Sequence, residues 1–397
     1  MSLCLLLFSE QHGLCVESGQ FYPNSVQSLI NDTNIDYFEA VDGSRAAEAI
    51  VDSILINGRG IYFDRLANYS STTPLERLSV SVNQTYRLRL INGGSVFSLR
   101  FSIDMHSLEV IESDGLPFEQ SIVVDQIIVG LGERFDLLIN TTNINPNSNY
   151  MIRVDTLDKN NNPRWHGRAI LEYSNNNIDV EQEESFISKN CSKQYPCRIL
   201  NCPFTQYGSD KDSFICLTYS NMTTSSIHID KNLVQLETTN ITLRKTISLT
   251  HVEPSLSTQM SGYEAINWIG MKLPILTQPI LFDPIEARNQ FTCTNTLLLS
   301  ETNGEKCYHH VVLKLNDTIE FLVINHDDDQ HPMHLHGHYF HVVEQGLAEL
   351  NETSGIYVSN NPNVECDEHA QCQYKANIST NNNVLLVKDT VQVAKGG

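Results

Sequence analysis

Six of the fourteen histidines fall within residues 326–341, in the run His326-Asp-Asp-Asp-Gln-His331-Pro-Met-His334-Leu-His336-Gly-His338-Tyr-Phe-His341. Neutral imidazole is the commonest protein metal ligand, so this density points to metal binding rather than to a solvated polar loop. Along a strand the side chains at i and i+2 share a face. His334 and His336 therefore point the same way, while His331, at odd separation and just before Pro332, points elsewhere. One short segment would feed two metal centres. Imidazole-only ligation suits copper, zinc, iron or nickel, and neighbouring sites on one strand suit a protein that moves electrons between metals. Spacing does not choose among those metals.

Weaker candidates surround this cluster. Asp327, Asp328 and Asp329 read as a solvated acidic loop before they read as a calcium or magnesium site, and their field would favour imidazolium at His331 in the metal-free protein. Cys366-x2-His369-x2-Cys372 and Cys307-Tyr308-His309 would each suit zinc in a reducing compartment. In an oxidising one, Cys293 with Cys307 and Cys366 with Cys372 read as disulfides. His106 and Arg134 read as structural residues.

The compartment follows from the cysteines and the sequons. Ten cysteines stand at 4, 15, 191, 197, 202, 216, 293, 307, 366 and 372, and eight of them lie in three clusters of even count. Asn31, Asn68, Asn83, Asn140, Asn190, Asn221, Asn240, Asn316, Asn351 and Asn377 each begin an Asn-x-Ser/Thr triplet. Both features favour a secreted, disulfide-forming protein. The run Leu3-Cys4-Leu5-Leu6-Leu7-Phe8 is short and lacks a preceding basic residue, so it makes an unconvincing signal peptide.

The elements that must carry these residues are strands. Leu78, Val80 and Val82 alternate with polar residues, as do Tyr86, Leu88 and Leu90, then Phe97, Leu99, Phe101 and Ile103, then Phe135, Leu137 and Ile139, then Tyr150, Ile152 and Val154. Asn92-Gly93-Gly94, Ser113-Asp114-Gly115 and Asn143 to Asn149 supply turn chemistry at sandwich spacing. The expected organisation is all-β: an N-terminal remnant over 1–49, one sandwich over 50–175, a disulfide-containing linker over 176–243, and a second, incomplete sandwich over 244–397. Length agrees, since 397 residues at roughly 100–200 per domain make two or three domains. A formal charge of −21 opposes a nucleic-acid partner, and no run reaches the roughly 18 apolar residues of a membrane span.

His331-Pro332-Met333-His334-Leu335-His336-Gly337-His338 resembles the HPxHLHGH signature of the multicopper oxidases, specifically the laccases, whose plastocyanin-like (cupredoxin) domains are β-sandwiches. Ser53 to Gly60, Tyr86 to Gly94 (YRLRLINGG), Gly132-Glu133-Arg134-Phe135-Asp136 and Leu200-Asn201-Cys202-Pro203-Phe204 are similar to animal laccases. The resemblance covers about 50–397, the family's second domain and most of its third, so the fold becomes tandem cupredoxin sandwiches. It places a type 1 copper on His331, the type 2 copper on His334 and one copper of the type 3 pair on His336, with His338 not a ligand. It also places Asp125 at the substrate mouth, where a carboxylate would accept a phenolic proton as the electron leaves.

Departures from the pattern are equally plain. The family's first domain contributes two further His-x-His pairs, and its third domain ends in a His-Cys-His segment that carries the type 1 cysteine. This sequence has no cysteine flanked by histidines on both sides, and its only His-x-His triplets lie inside the signature. With three ligands for four coppers, the expectation is a laccase copy truncated at both ends and not competent alone. The complete relative would take single electrons from phenols or aromatic amines and reduce O2 to water. Two alternatives come from other classes: a zinc hydrolase, disfavoured by Gly337 where the comparable motif wants Asp, and a non-catalytic copper-binding remnant.

Overall fold

The computed structural model describes residues 3–12, 39–44, 51–64, 69–94, 97–142, 144–145, 147–159, 163, 165–173, 191–225, 241–252, 263–267, 269–271, 306–307, 313–366, 372–374 and 386–397. Among them the regular structure is strand, apart from one 3-10 turn at Tyr219–Asn221. The all-β expectation holds.

Two sheets enclose the first core. One runs, in spatial order, Val51–Ile56, Leu3–His12, Thr85–Asn92, Arg134–Asn140, Leu108–Ser113 and Leu116–Val124. The other runs Phe214–Leu217, Cys197–Leu200, Gln126–Val129, Leu99–Ile103, Tyr150–Thr156, His166–Tyr173 and Glu76–Val80. Period-two alternation does the sorting: Tyr86, Leu88 and Leu90 are buried, while Arg87 and Arg89 face outward. There Arg87 reaches Asp136 on the adjacent strand and Glu112 on the strand beyond it.

Two segments differ from the sequence expectation. Leu3–His12 stands inside the first sheet, parallel to Thr85–Asn92 and antiparallel to Val51–Ile56. A run of consecutive apolar residues carries no alternation by which sequence could place it. Residues 197–217, read as linker, contribute two short strands that extend the second sheet in parallel from Gln126–Val129. Disulfides Cys191–Cys197 and Cys202–Cys216 pin them over a small core of Phe204, Tyr207 and Phe214. Four-residue strands are too short for a period to show.

The later residues form a five-stranded sheet in the order Lys306–Cys307, Ile269–Met271, Tyr263–Ile266, Leu243–Val252 and Ile319–Asn325, together with two-stranded pairs. In two of these pairs His331–His334 runs antiparallel to Thr390–Val393, and Phe340–Val342 to Leu386–Lys388. Residues 386–393 also pack onto the first sandwich. Leu386 belongs to its core, with Val342 and Val391 against it.

A buried charge cluster fastens that contact. The Asp114-Gly115 turn takes φ of 49° and 86°, a pair suited to a tight hairpin between Leu108–Ser113 and Leu116–Val124. It leaves the Asp114 carboxylate facing inward, where it accepts from the Arg134 and Thr390 backbone N–H groups at 3.1 and 3.2 Å. Lys388, 0% exposed, donates to Ser113 Oγ at 2.6 Å and lies 3.2 Å from both Asp114 and Glu133. Glu133 also accepts from Tyr219, Asn201 and the Gly130 N–H. Every charge in this interior cluster thus has a partner, the condition under which buried ions are tolerated.

Candidate metal centre

His331 to His334 form a strand whose register sets His331 opposite Val393 and His334 opposite Thr390. Exposure alternates along it, with His331 and Met333 half-buried and Pro332 and His334 exposed. The strand ends at His334, and a turn with Gly337 at φ 69° carries His336 back. As a result the His334 and His336 rings lie 4.9 Å apart between centroids. Proximity of this pair therefore comes from the turn and not, as expected from the sequence, from a shared strand face.

Each end of the strand has its own polar support. His334 Nδ1 is 2.9 Å from the Asp389 carbonyl and 2.9 Å from Thr390 Oγ1. A carbonyl only accepts, so Nδ1 carries the proton and Nε2 carries the lone pair. Thr390 Oγ1 donates to Asp389 Oδ1 at 2.8 Å, and Arg134 holds the same carboxylate through NH1 and NH2 at 2.6 Å each. Burial alone would raise Asp389, but the Arg134 and Thr390 hydrogen bonds outweigh it and hold this carboxyl below its ordinary value. A ring fixed through one nitrogen by a backbone carbonyl, with the other nitrogen presenting its lone pair, is the arrangement metal-ligating histidines adopt.

At the other end His331 Nε2 lies 2.9 Å from Asp327 Oδ2. The carboxylate accepts the Nε2 proton, so Nδ1 is the nitrogen left for a metal. Asp327 is itself set by buried Asn325, whose Oδ1 accepts the Asp327 N–H at 2.9 Å and whose Nδ2 donates to the Asp329 and Ala394 carbonyls. Ser98 of the first sandwich donates to Gln330 at 2.9 Å, and Lys395 pairs with Asp328 at 2.6 Å. The acidic triplet thus orients one histidine and one lysine. The i, i+4 spacing of Asp327 and His331 was the signal for the first of these contacts.

The remaining candidates are each held by contacts of their own. Asp125 Oδ2 accepts the Arg198 N–H at 2.8 Å, and Asp125 N–H donates to the Arg198 carbonyl at 3.0 Å, which ties Cys197–Leu200 to the first sandwich. His106, 4% exposed, bonds the Asp104 carbonyl and the Tyr173 hydroxyl at 2.8 Å each. Burial lowers its pKa against the pull of that carbonyl. His338 Nδ1 bonds the His336 carbonyl at 3.1 Å. Cys366 and Cys372 form a disulfide. His369, Cys293 and His309 lie outside the described residues, as does the pairing of Cys293 with Cys307.

Two family models, each described as multicopper oxidase, match residues 19–176 and 275–397. Laccase-1 of Cryptococcus neoformans var. neoformans is 26% identical over 322 residues, covering 78% of this chain and 46% of its own. The L-ascorbate oxidase of Nicotiana tabacum is 26% identical over 333 residues, 76% of this chain and 52% of its own. Laccase-1 of Pleurotus ostreatus reaches 38% identity over 120 residues, 30% of this chain and 21% of its own. The chain thus spans about half the length, or less, of these curated relatives. Among solved structures, Fet3p, described as a multicopper oxidase that functions in iron import, matches with a TM-score of 0.57 at 16% identity over 99% of this chain and 59% of that one. The laccase from Botrytis aclada matches with a TM-score of 0.54 at 16% identity, over 99% and 57%. These two likenesses concern the fold alone.

Proposed function

The chain belongs to the multicopper oxidase family, and on that premise we propose that residues 326–341 are the copper-binding segment of a laccase-type oxidase. Such an oxidase takes single electrons from phenols or aromatic amines and passes them to O2. His331 would hold a type 1 copper through Nδ1, and His334, through Nε2, would join His336 in serving the type 2 and type 3 centre. The observation that carries this reading is the support of His334: its Nδ1–H is taken by the Asp389 carbonyl, which leaves Nε2 to a metal. Copper, when bound, supplies one-electron redox chemistry at neutral pH.

What the chain's own residues do is positional. Asp327 fixes the His331 tautomer, Thr390 and Asp389 fix that of His334, and Arg134 fixes Asp389. Three histidines are part of a four-copper ligand set, so the complete activity is proposed for a protein in which the remaining donors are present. The relatives named above are fungal and plant proteins; kinship with animal laccases rests on the short motifs at Ser53–Gly60, Tyr86–Gly94, Gly132–Asp136 and Leu200–Phe204.

We further propose a secreted, glycosylated protein. Three described disulfides support this, and the sequon residues Asn83, Asn140, Asn221, Asn316 and Asn351, all those among the described residues, are exposed. Nothing in the all-β fold or the family matches favours the zinc-hydrolase alternative. Elemental analysis after purification in mixed copper and zinc tests the proposal. Copper retained in preference to zinc, and reduced in amount on replacing His334 with Ala, is expected; selective zinc retention, or no metal, would refute it.

A further inference from the structure

A second group of ligand atoms includes His326, five residues before His331. One ring nitrogen of His326 and the sulfurs of Cys366 and Cys372 all sit within 4.8 Å of one another. We propose that these three residues form a redox-gated site for a thiophilic cation, zinc or cuprous copper, closed while Cys366 and Cys372 are a disulfide and opened by its reduction.

Independent backbone contacts place the donors. Cys366 and Cys372 are direct cross-strand partners in the hairpin of Val364–Cys366 with Cys372–Tyr374. His326 directly follows the strand Ile319–Asn325, and its N–H donates to the Leu249 carbonyl at 2.9 Å. Three residues earlier on the strand that carries Leu249, Thr246 donates through Oγ1 to the Cys372 carbonyl at 3.4 Å. One strand thus references both the imidazole and a sulfur. Hairpin pairing and these two bonds do not depend on the S–S bond, so the donors stay gathered when it is cut.

Access favours this disulfide over the other two described. Cys366 is exposed, whereas Cys197 and Cys202 are buried at 0% and 1% and their partners are half-buried. Reduction by a phosphine breaks the S–S bond; water supplies the oxygen that leaves as phosphine oxide and the two protons that make two thiols. The thiophilic cation then displaces the thiol protons to solvent, and two thiolates with one imidazole suit zinc or copper(I) and reject hard cations. The site is independent of the copper reading of 331–336. Occupancy would nonetheless be felt there, because the residue after His326 is Asp327, which orients His331.

The test uses the full chain, reduced with a water-soluble phosphine under nitrogen and titrated with cobalt(II). The reduced protein should develop a sulfur-to-cobalt charge-transfer band that cobalt on the signature histidines cannot give. The band should be absent from the unreduced protein and from Cys366→Ser, and His326→Ala should weaken cobalt binding about tenfold or more. No band in the reduced protein, a band that persists in Cys366→Ser, or unchanged affinity in His326→Ala would overturn the proposal. Should Cys366→Ser not fold, alkylation of the reduced wild type decides: zinc should slow modification of Cys366 and Cys372, and equal rates with and without zinc would overturn it.

Discussion

Arg134 and Asp389, 255 residues apart, meet as a two-pronged ion pair with both N–O distances at 2.6 Å. The pair joins the first sandwich to the residue whose carbonyl holds His334. It therefore belongs at once to the interface and to the metal segment. Arg134→Met should lower stability by about 1.5–3 kcal/mol, the usual worth of hydrogen bonds to a charged group. Arg134→Lys should recover little of it, because an ammonium cannot make two parallel bonds to one carboxylate. Thermal unfolding of the three proteins checks both statements.

Lys388 has no solvent exposure and lies 3.2 Å from each of two buried carboxylates, with the Phe135 ring 4.6 Å from Nζ. Lys388→Met leaves Asp114 and Glu133 buried without their cation, a loss of about 3–5 kcal/mol. Adding Glu133→Gln should return part of that loss, since one uncompensated charge is then removed. Urea unfolding midpoints measure the difference; a single variant as stable as wild type would exclude the ion cluster as the clamp.

Acid sensitivity should come in part from Asp155. Burial alone would raise this carboxyl, but Arg168 and Arg100 beside it, at 2.6 and 3.4 Å, hold it below its ordinary value. A folded pKa below the unfolded one contributes stability that is fully present above about pH 4 and is lost as pH falls through the folded value. Melting temperature should drop over that acid window. Arg168→Met should be less stable at neutral pH and show a shallower drop below about pH 4; a parallel shift at every pH would assign the dependence to other groups.

Much of the fold was legible because burial alternates where residues alternate. Tyr86-Leu88-Leu90 and Phe135-Leu137-Ile139 face a single core, and period two records that directly. Leu3–His12 was not, since consecutive leucines read equally as a leader or as a strand. The signature histidines were legible from spacing, but their supports were not. Asp389 and Thr390 reach His334 only because Thr390–Val393 pairs with His331–His334, a contact across more than fifty residues. Lys388 reads as a surface lysine in any local window. Its burial depends on Asp114 and Glu133, supplied by turns more than 250 residues earlier.

The central claim is that one short segment feeds two metal centres, His331 on one side and His334 with His336 on the other. Copper(II) titration of the wild type and of His331→Ala, His334→Ala and His336→Ala, followed by electron paramagnetic resonance, tests it most directly. Two spectroscopically distinct coppers are predicted, with His334→Ala and His336→Ala each weakening the same one and His331→Ala weakening only the other. A single copper signal that all three variants abolish, or copper binding that none of them alters, would contradict the account.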